Sequence, residues 1–168
     1  AAGAFTEAIV RELASKTQRP IIFPLSNPTS HAEAHPAELD EWTSGRALIA
    51  TGSPFAPLRR DGREAAVAQC NNVYIFPAMG LAVTAAEATR VTDNMMRAAA
   101  TTLGDASPAL SNPDLPLLPA WSDVPDVAIR IAHAVGCQAV ADGVAPQRSV
   151  EQIAERIAQV RWTPEYPA

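Results

Sequence analysis

The spacing of apolar positions divides the chain into short helical and extended segments in alternation. From Glu7 to about Lys16, the residues Ile9, Val10 and Leu13 fall at helical spacing, and Thr6 stands where a capping residue would open the helix. Arg19-Pro20 ends it, because proline has no N–H to continue the ladder. Ile21-Ile22-Phe23-Pro24-Leu25 is a continuous apolar run, the pattern of a strand covered on both faces, and it gives way to the polar turn Ser26-Asn27-Pro28-Thr29. A short helix is predicted next, with Pro36 in its first turn, Glu38 beside it and Gly45 just past its end. Ala47-Leu48-Ile49-Ala50 predicts a second buried strand, running into Thr51-Gly52-Ser53-Pro54. Strand, helix, strand in that order is the signature of a parallel sheet.

Further along, Asp61-Gly62 separates Leu58-Arg59-Arg60 from Arg63-Glu64-Ala65-Ala66-Val67 and predicts a hairpin turn. Val73 to Ala88 is apolar nearly all round, as a buried helix or a short strand leading into one would be. Thr92-Asp93 opens another helix, and Gly104 is its expected stop. Pro108, Pro113, Pro116 and Pro119 mark residues 105–122 as a loop. Two more helices are predicted, about Pro125–Asp142 with Gly143 at its end, and Val150–Val160 opened by the capping box Ser149…Gln152. The fold class is α/β.

Composition narrows the partners. The 168 residues are 48% hydrophobic and 18% charged, which suits one soluble compact domain. The 13 basic residues are outnumbered by 18 acidic ones, and no basic run occurs, which argues against nucleic acid as a partner. No apolar stretch is long enough to suggest a membrane span. Cys70 and Cys137 lie far apart without a CxxC spacing, so a reduced, cytoplasmic setting is expected. The chain opens on Ala1 and enters a patterned segment at once, so we expect a segment of a longer polypeptide or a processed chain.

In open parallel sheets ligands bind beyond the carboxyl ends of the strands. The polar segments expected there are Ser26-Asn27-Pro28-Thr29, Gly52-Ser53-Pro54-Phe55 and Gln69-Cys70-Asn71-Asn72. An asparagine amide donates hydrogen bonds to a carboxylate and accepts one from a hydroxyl or carboxamide, which makes Asn27, Asn71 and Asn72 candidate ligand contacts. If Asn71-Asn72 open a helix, its free N–H groups and dipole would also favour an anion. Ser26 and Ser53 are candidates for supporting contacts. All three asparagines equally suit turn formation and capping on local grounds. His31 and His35 bracket Glu33, but Pro36 breaks any helix that would align them and no third ligand follows, so a solvated loop is the expected reading. No histidine is placed as a base for Cys70, which reads as a small buried thiol, and Met79, Met95 and Met96 read as core or interface.

Taken in order and spacing, Arg19-Pro20-Ile21-Ile22-Phe23 with Ser26-Asn27-Pro28-Thr29, Trp42-Thr43-Ser44-Gly45-Arg46-Ala47-Leu48, and Asn71-Asn72-Val73-Tyr74-Ile75-Phe76-Pro77 resemble the malic enzyme family. The likeness runs from Gly3-Ala4-Phe5-Thr6-Glu7 to the tail Trp162…Pro164-Glu165-Tyr166-Pro167. It implies a partial Rossmann-like parallel sheet with flanking helices and a helical C-terminal segment. Residues 1–104 would then be the later part of an NAD(P)-binding domain, 105–122 a proline-rich loop and 123–168 the C-terminal helices. The implied activity of the parent enzyme is oxidative decarboxylation of malate to pyruvate and carbon dioxide, with NAD or NADP and a Mg or Mn ion. The resemblance also places malate and the nicotinamide end of the cofactor against Asn27, Asn71 and Asn72. It implies further that the rest of the parent polypeptide is a partner and that the enzyme is a homo-oligomer.

This sequence departs from the family pattern at Cys70, Ala78 and Ala82, where glycines are usual, and at Ala120, where a proline is usual. Its eight glycines contain no GxG, so the phosphate-cradling turn of a dinucleotide fold is missing. The tyrosine and lysine that handle protons in the family, and its metal-holding carboxylates, have no counterpart motifs. Lys16 is the one lysine, and Tyr74 and Tyr166 are the tyrosines. The chain alone is therefore expected to lack catalysis. The alternative is a non-catalytic small-ligand or protein-interaction module that reuses this half-fold.

Overall fold

A computed structural model describes residues 1–60, 62–112 and 115–162. Two compact units emerge, one formed by Ala1–Asn71 with Ser107–Ala120, the other by residues 72–106 with the described residues from Trp121 onward. The stretch Ser107–Ala120, within the proline-rich segment, belongs to the first of these units. Among the described residues no helix is long and apolar enough to cross a membrane.

The first unit holds the parallel sheet. Helix α1 (Glu7–Lys16) forms where expected, buries Val10 and Ala14, and has Thr6 at its N-cap without a side-chain capping bond. Strand β1 is confined to Ile21–Ile22 rather than extending to Leu25, since Pro24 has no N–H to donate. Helix α2 (Pro36–Trp42) opens with a capping box. The His35 side chain accepts from the Ala37 N–H, and the Glu38 carboxylate accepts from the His35 N–H. Its exit explains the Thr-Ser-Gly-Arg sequence. Thr43 Oγ1 donates to the Leu39 carbonyl at 2.7 Å, and Ser44 and Gly45 turn the chain with φ of 54° and 72°. Arg46 then reaches back to the carbonyls of Ala14, Thr17 and Gln18 at the end of α1.

Strand β2 (Leu48–Thr51) lies between β1 and β5 (Ala68–Gln69), parallel to both. Strand β5 is not visible as a pattern in the sequence, since two residues are too few to show a period. Strands β3 (Leu58–Arg60) and β4 (Arg63–Ala65) form the expected antiparallel hairpin, with Gly62 at φ 76°. Asp61 of its turn lies outside the described residues. Within the proline-rich stretch, Ser107 Oγ donates to the Leu117 carbonyl at 2.5 Å and ties its limbs together. Pro113 there lies outside the described residues.

The second unit is helical: α3 (Phe76–Ala86), α4 (Asp93–Asp105), α5 (Val124–Ala141) and α6 (Val150–Val160). Ala78, Ala82, Ala85 and Ala86 of α3 are buried with Ile131, Val135 and Ala139 of α5 and Ile153 and Ile157 of α6. The methyl groups of Ala78 and Ala82 thus belong to this core. Helix α4 runs through Gly104, where a stop was expected. It ends one residue later, ahead of extended Ser107, whose conformation is dictated by Pro108. The Ser149–Gln152 capping box of α6 is present as expected. The tail from Thr163 to Ala168, part of the sequence resemblance, lies outside the described residues.

Two outcomes follow. The residue Gly52 follows β2 and approaches the preceding turn so closely that a Cβ on it would lie 2.0 Å from the Leu25 carbonyl oxygen. Gly52→Ala is expected to lower stability by about 2 kcal/mol or more through backbone displacement, read as a lowered urea midpoint. A midpoint equal to the parent's would show that the two turns separate freely. Strand β1 pairs on one side only among the described residues, and Ile21 is 58% exposed on it, with Ile9 and Leu13 exposed on α1. The isolated chain is expected to self-associate, and Ile21→Lys to reduce this, as measured by sedimentation velocity. A clean monomer at high concentration would contradict the expectation.

Candidate functional site

All three strands of the sheet point the same way, so the chain leaves each at one common edge. The ladder continues past the formal strand ends: the Gly52 N–H donates to the Pro24 carbonyl at 2.9 Å, and the Cys70 N–H to the Thr51 carbonyl at 2.8 Å. The segments Ser26-Asn27, Gly52-Ser53 and Cys70-Asn71 therefore follow directly from paired backbone. Gly52 sets how closely the first two approach, because the Leu25 carbonyl occupies the space a side chain would fill.

Four of the five expected site residues lie in this first unit: Ser26, Asn27, Ser53 and Asn71. Two of them meet. The Ser53 hydroxyl donates to Asn27 Oδ1. Ser53 is buried, at 4% exposure, and its backbone carbonyl accepts from Thr51 Oγ1 at 2.8 Å. Gln69 Nε2 donates to the Gly52 carbonyl at 3.1 Å and fastens the same turn to the end of β5. Asn27 itself is exposed. Its oxygen accepts from Ser53, and its amide group retains two N–H donors that a ligand could use.

Ser26 is turned toward Glu33 instead. Its hydroxyl donates to Glu33 Oε1 at 2.5 Å, and its N–H to Oε2 at 3.2 Å. The hydroxyl bond chiefly holds the Glu33 carboxyl below the usual carboxylate range, against a smaller opposing effect of burial. Glu33 was not among the residues singled out as site members. Pro28 lies between Ser26 and Glu33, so no regular element links them in sequence, and Glu33 reads only as part of a solvated loop with its neighbouring histidines. His35 uses Nδ1 to cap α2 and rests edge-on against Phe55 at 5.0 Å.

Asn71 is half-buried, and Asn72 is exposed and begins the second unit. The condition that this pair opens an α-helix is not met. Asn72–Tyr74 is a three-residue 3-10 turn, and α3 begins only at Phe76, with Pro77 in its first turn. A single 3-10 turn carries little dipole, so the anion argument for these asparagines rests on their side chains alone. Burial pushes the Cys70 thiol up, which keeps it protonated and unsuited to nucleophilic attack. Tyr74 is buried beside Trp121, with ring centroids 6.1 Å apart. Lys16 pairs with Glu12 on the surface of α1.

Among the described residues, no three His, Cys, Asp or Glu side chains come together in a way that could hold a metal ion, so a divalent cation finds no ligand set in them. The neutral donors and acceptors at the sheet edge do suit a carboxylate or the carboxamide of a nicotinamide.

The family model described as "Malic enzyme, NAD binding domain" matches residues 1–140. The NAD-dependent malic enzyme of Acinetobacter baylyi is 52% identical over 164 residues, which is 98% of this chain and 29% of that protein. The NAD-dependent malic enzyme of Pseudomonas aeruginosa is 47% identical over 166 residues, 99% of this chain and again 29% of its own length. Among solved structures, the Entamoeba histolytica malic enzyme superposes with a TM-score of 0.74 at 25% identity, over 95% of this chain and 29% of that one. The Pyrococcus horikoshii malic enzyme has the same fold, with a TM-score of 0.70 at 24% identity, over 95% of this chain and 32% of that one. The chain thus spans about three-tenths of the length of the relatives it matches, and it belongs to the malic enzyme family, whose NAD-binding-domain pattern it carries over residues 1–140.

Proposed function

We propose that this chain supplies the carboxyl-edge part of a malic enzyme active site, and that Asn27 is its principal contact to malate. The observation that carries this reading is the Ser53–Asn27 hydrogen bond. It holds the amide by its oxygen and leaves the two N–H donors for a ligand, and donors are what a dicarboxylate requires of a neutral side chain. Asn71 and Asn72 are assigned to the same ligands, malate and the nicotinamide end of the cofactor, by the family resemblance. Ser26 and Ser53 act behind them as supports. The reaction is oxidative decarboxylation of malate to pyruvate and carbon dioxide, carried out by the full-length enzyme that contains this segment. NAD is the proposed cofactor, in line with the named dependence of the relatives, and when bound it supplies the hydride acceptor.

What these residues contribute is binding and orientation. An amide held from behind by a buried hydroxyl keeps its donors in place before substrate arrives, so little ordering cost remains at binding. It changes no proton inventory, so the proton transfers belong to groups elsewhere in the full-length enzyme, as does the Mg or Mn site. The isolated chain is accordingly assigned no turnover of its own. The full-length enzyme is expected to be a homo-oligomer.

In the full-length enzyme, Asn27→Ala is expected to reduce kcat/KM for malate by about 10- to 100-fold, the loss of one hydrogen bond to a charged group. Asn72→Ala is expected to act in the same direction. Steady-state kinetics with unchanged malate parameters for Asn27→Ala would remove it from the site and with it the proposed role of this edge. Ser53→Ala, which frees the Asn27 amide to rotate, is expected to raise the malate KM by roughly 3- to 10-fold. An unchanged KM for Ser53→Ala alongside a damaged Asn27→Ala would show that the amide is oriented by something other than Ser53.

A further inference from the structure

The loop that carries Asn27 is closed on itself by one carboxylate. Glu33 accepts from both the N–H and the hydroxyl of Ser26, a two-point clamp across seven residues that encloses Asn27, Pro28 and the 3-10 turn Thr29–His31. The far limb is itself tied down: the Phe5 N–H donates to the Glu33 carbonyl at 3.0 Å, and the Gly3 N–H to the Ala32 carbonyl at 3.1 Å. Ser26 is half-buried, so the N–H it gives to Glu33 is poorly placed to find water instead. Asn27 follows Ser26 directly, and its backbone position is set by where Ser26 is held.

We propose that Glu33 is a positioning residue of the malate site, fixing the backbone of the Ser26-Asn27 turn while Ser53 fixes the Asn27 amide. This rests on the reading of Asn27 as a malate contact. Two anchors are needed because they control different degrees of freedom. The Ser53 bond sets the amide's rotation, whereas the Glu33 clamp sets where the Cα that carries it stands. A carboxylate suits this task better than a neutral acceptor, since each of its oxygens takes one of two donors and both bonds are charge-assisted. Glu33 does not touch substrate in this scheme and moves no proton.

The test is a mutant cycle in the full-length enzyme. Glu33→Ala is expected to raise the malate KM roughly ten-fold with kcat changed by less than about three-fold, the signature of lost ground-state binding. Glu33→Gln, which keeps an acceptor for one of the two donors, should fall between the parent and the alanine variant. In an Asn27→Ala background, either Glu33 change should add nothing further to KM, because the residue it positions is gone. A loss that arose only from general weakening of the fold would instead multiply fully with Asn27→Ala, and that result would overturn the proposal. So would parent-like KM values for Glu33→Gln and for a folded Glu33→Ala. If Asn27→Ala alone leaves the malate KM unchanged, the binding role of this edge falls first and the proposal with it. An effect of Asn27→Ala without any effect of Glu33 sinks the positioning role alone.

Discussion

The near-contact between the two turns beyond β1 and β2 governs the rest of this edge. Gly52 lies against the Leu25 carbonyl with no space for a side chain, and its N–H donates to Pro24. That approach brings Ser53 within reach of Asn27, and a bulkier residue at 52 would push the turns apart. The requirement is for room rather than for an unusual backbone angle. Every polar contact that follows, including the Gln69 bond to the Gly52 carbonyl, assumes the closeness that this glycine permits.

Sequence reading recovered the helices well because they are long enough to repeat. Apolar spacing and capping chemistry locate α1, α5 and α6 to within a residue, and the start of α2. Strands are less legible the shorter they are: β1 takes up less than half of its apolar run, and β5 leaves no trace in the pattern. Gly104 illustrates a different limit. Glycine often follows a helix end, yet α4 ends where Pro108 dictates the conformation of its predecessor. The compact units also cut across chain order, since the proline-rich stretch joins a partner far earlier in sequence.

For the candidate site, the sequence identified which residue types stand at the strand ends but not their pairings. Asn27 and Ser53 are 26 positions apart, and only the parallel register of β1 and β2 brings their turns together. Glu33 was legible only as a neighbour of two histidines. Its actual partner, Ser26, becomes visible once the loop is closed in space. Whether Asn72 opens a helix is not legible, because a three-residue 3-10 turn and the first turn of an α-helix look alike in sequence.

The strap formed by Gly3 and Phe5 on the far limb of the Ser26–Glu33 loop gives the opening residues a role beyond leading into α1. Recombinant boundaries placed at Thr6, a natural choice since the helix begins there, would discard both tethers without disturbing any secondary structure. Such a truncated product would keep its circular dichroism while losing definition in a loop more than twenty residues downstream. Domain dissection of other malic enzyme family members should therefore retain the irregular stretch ahead of the first helix as a matter of course.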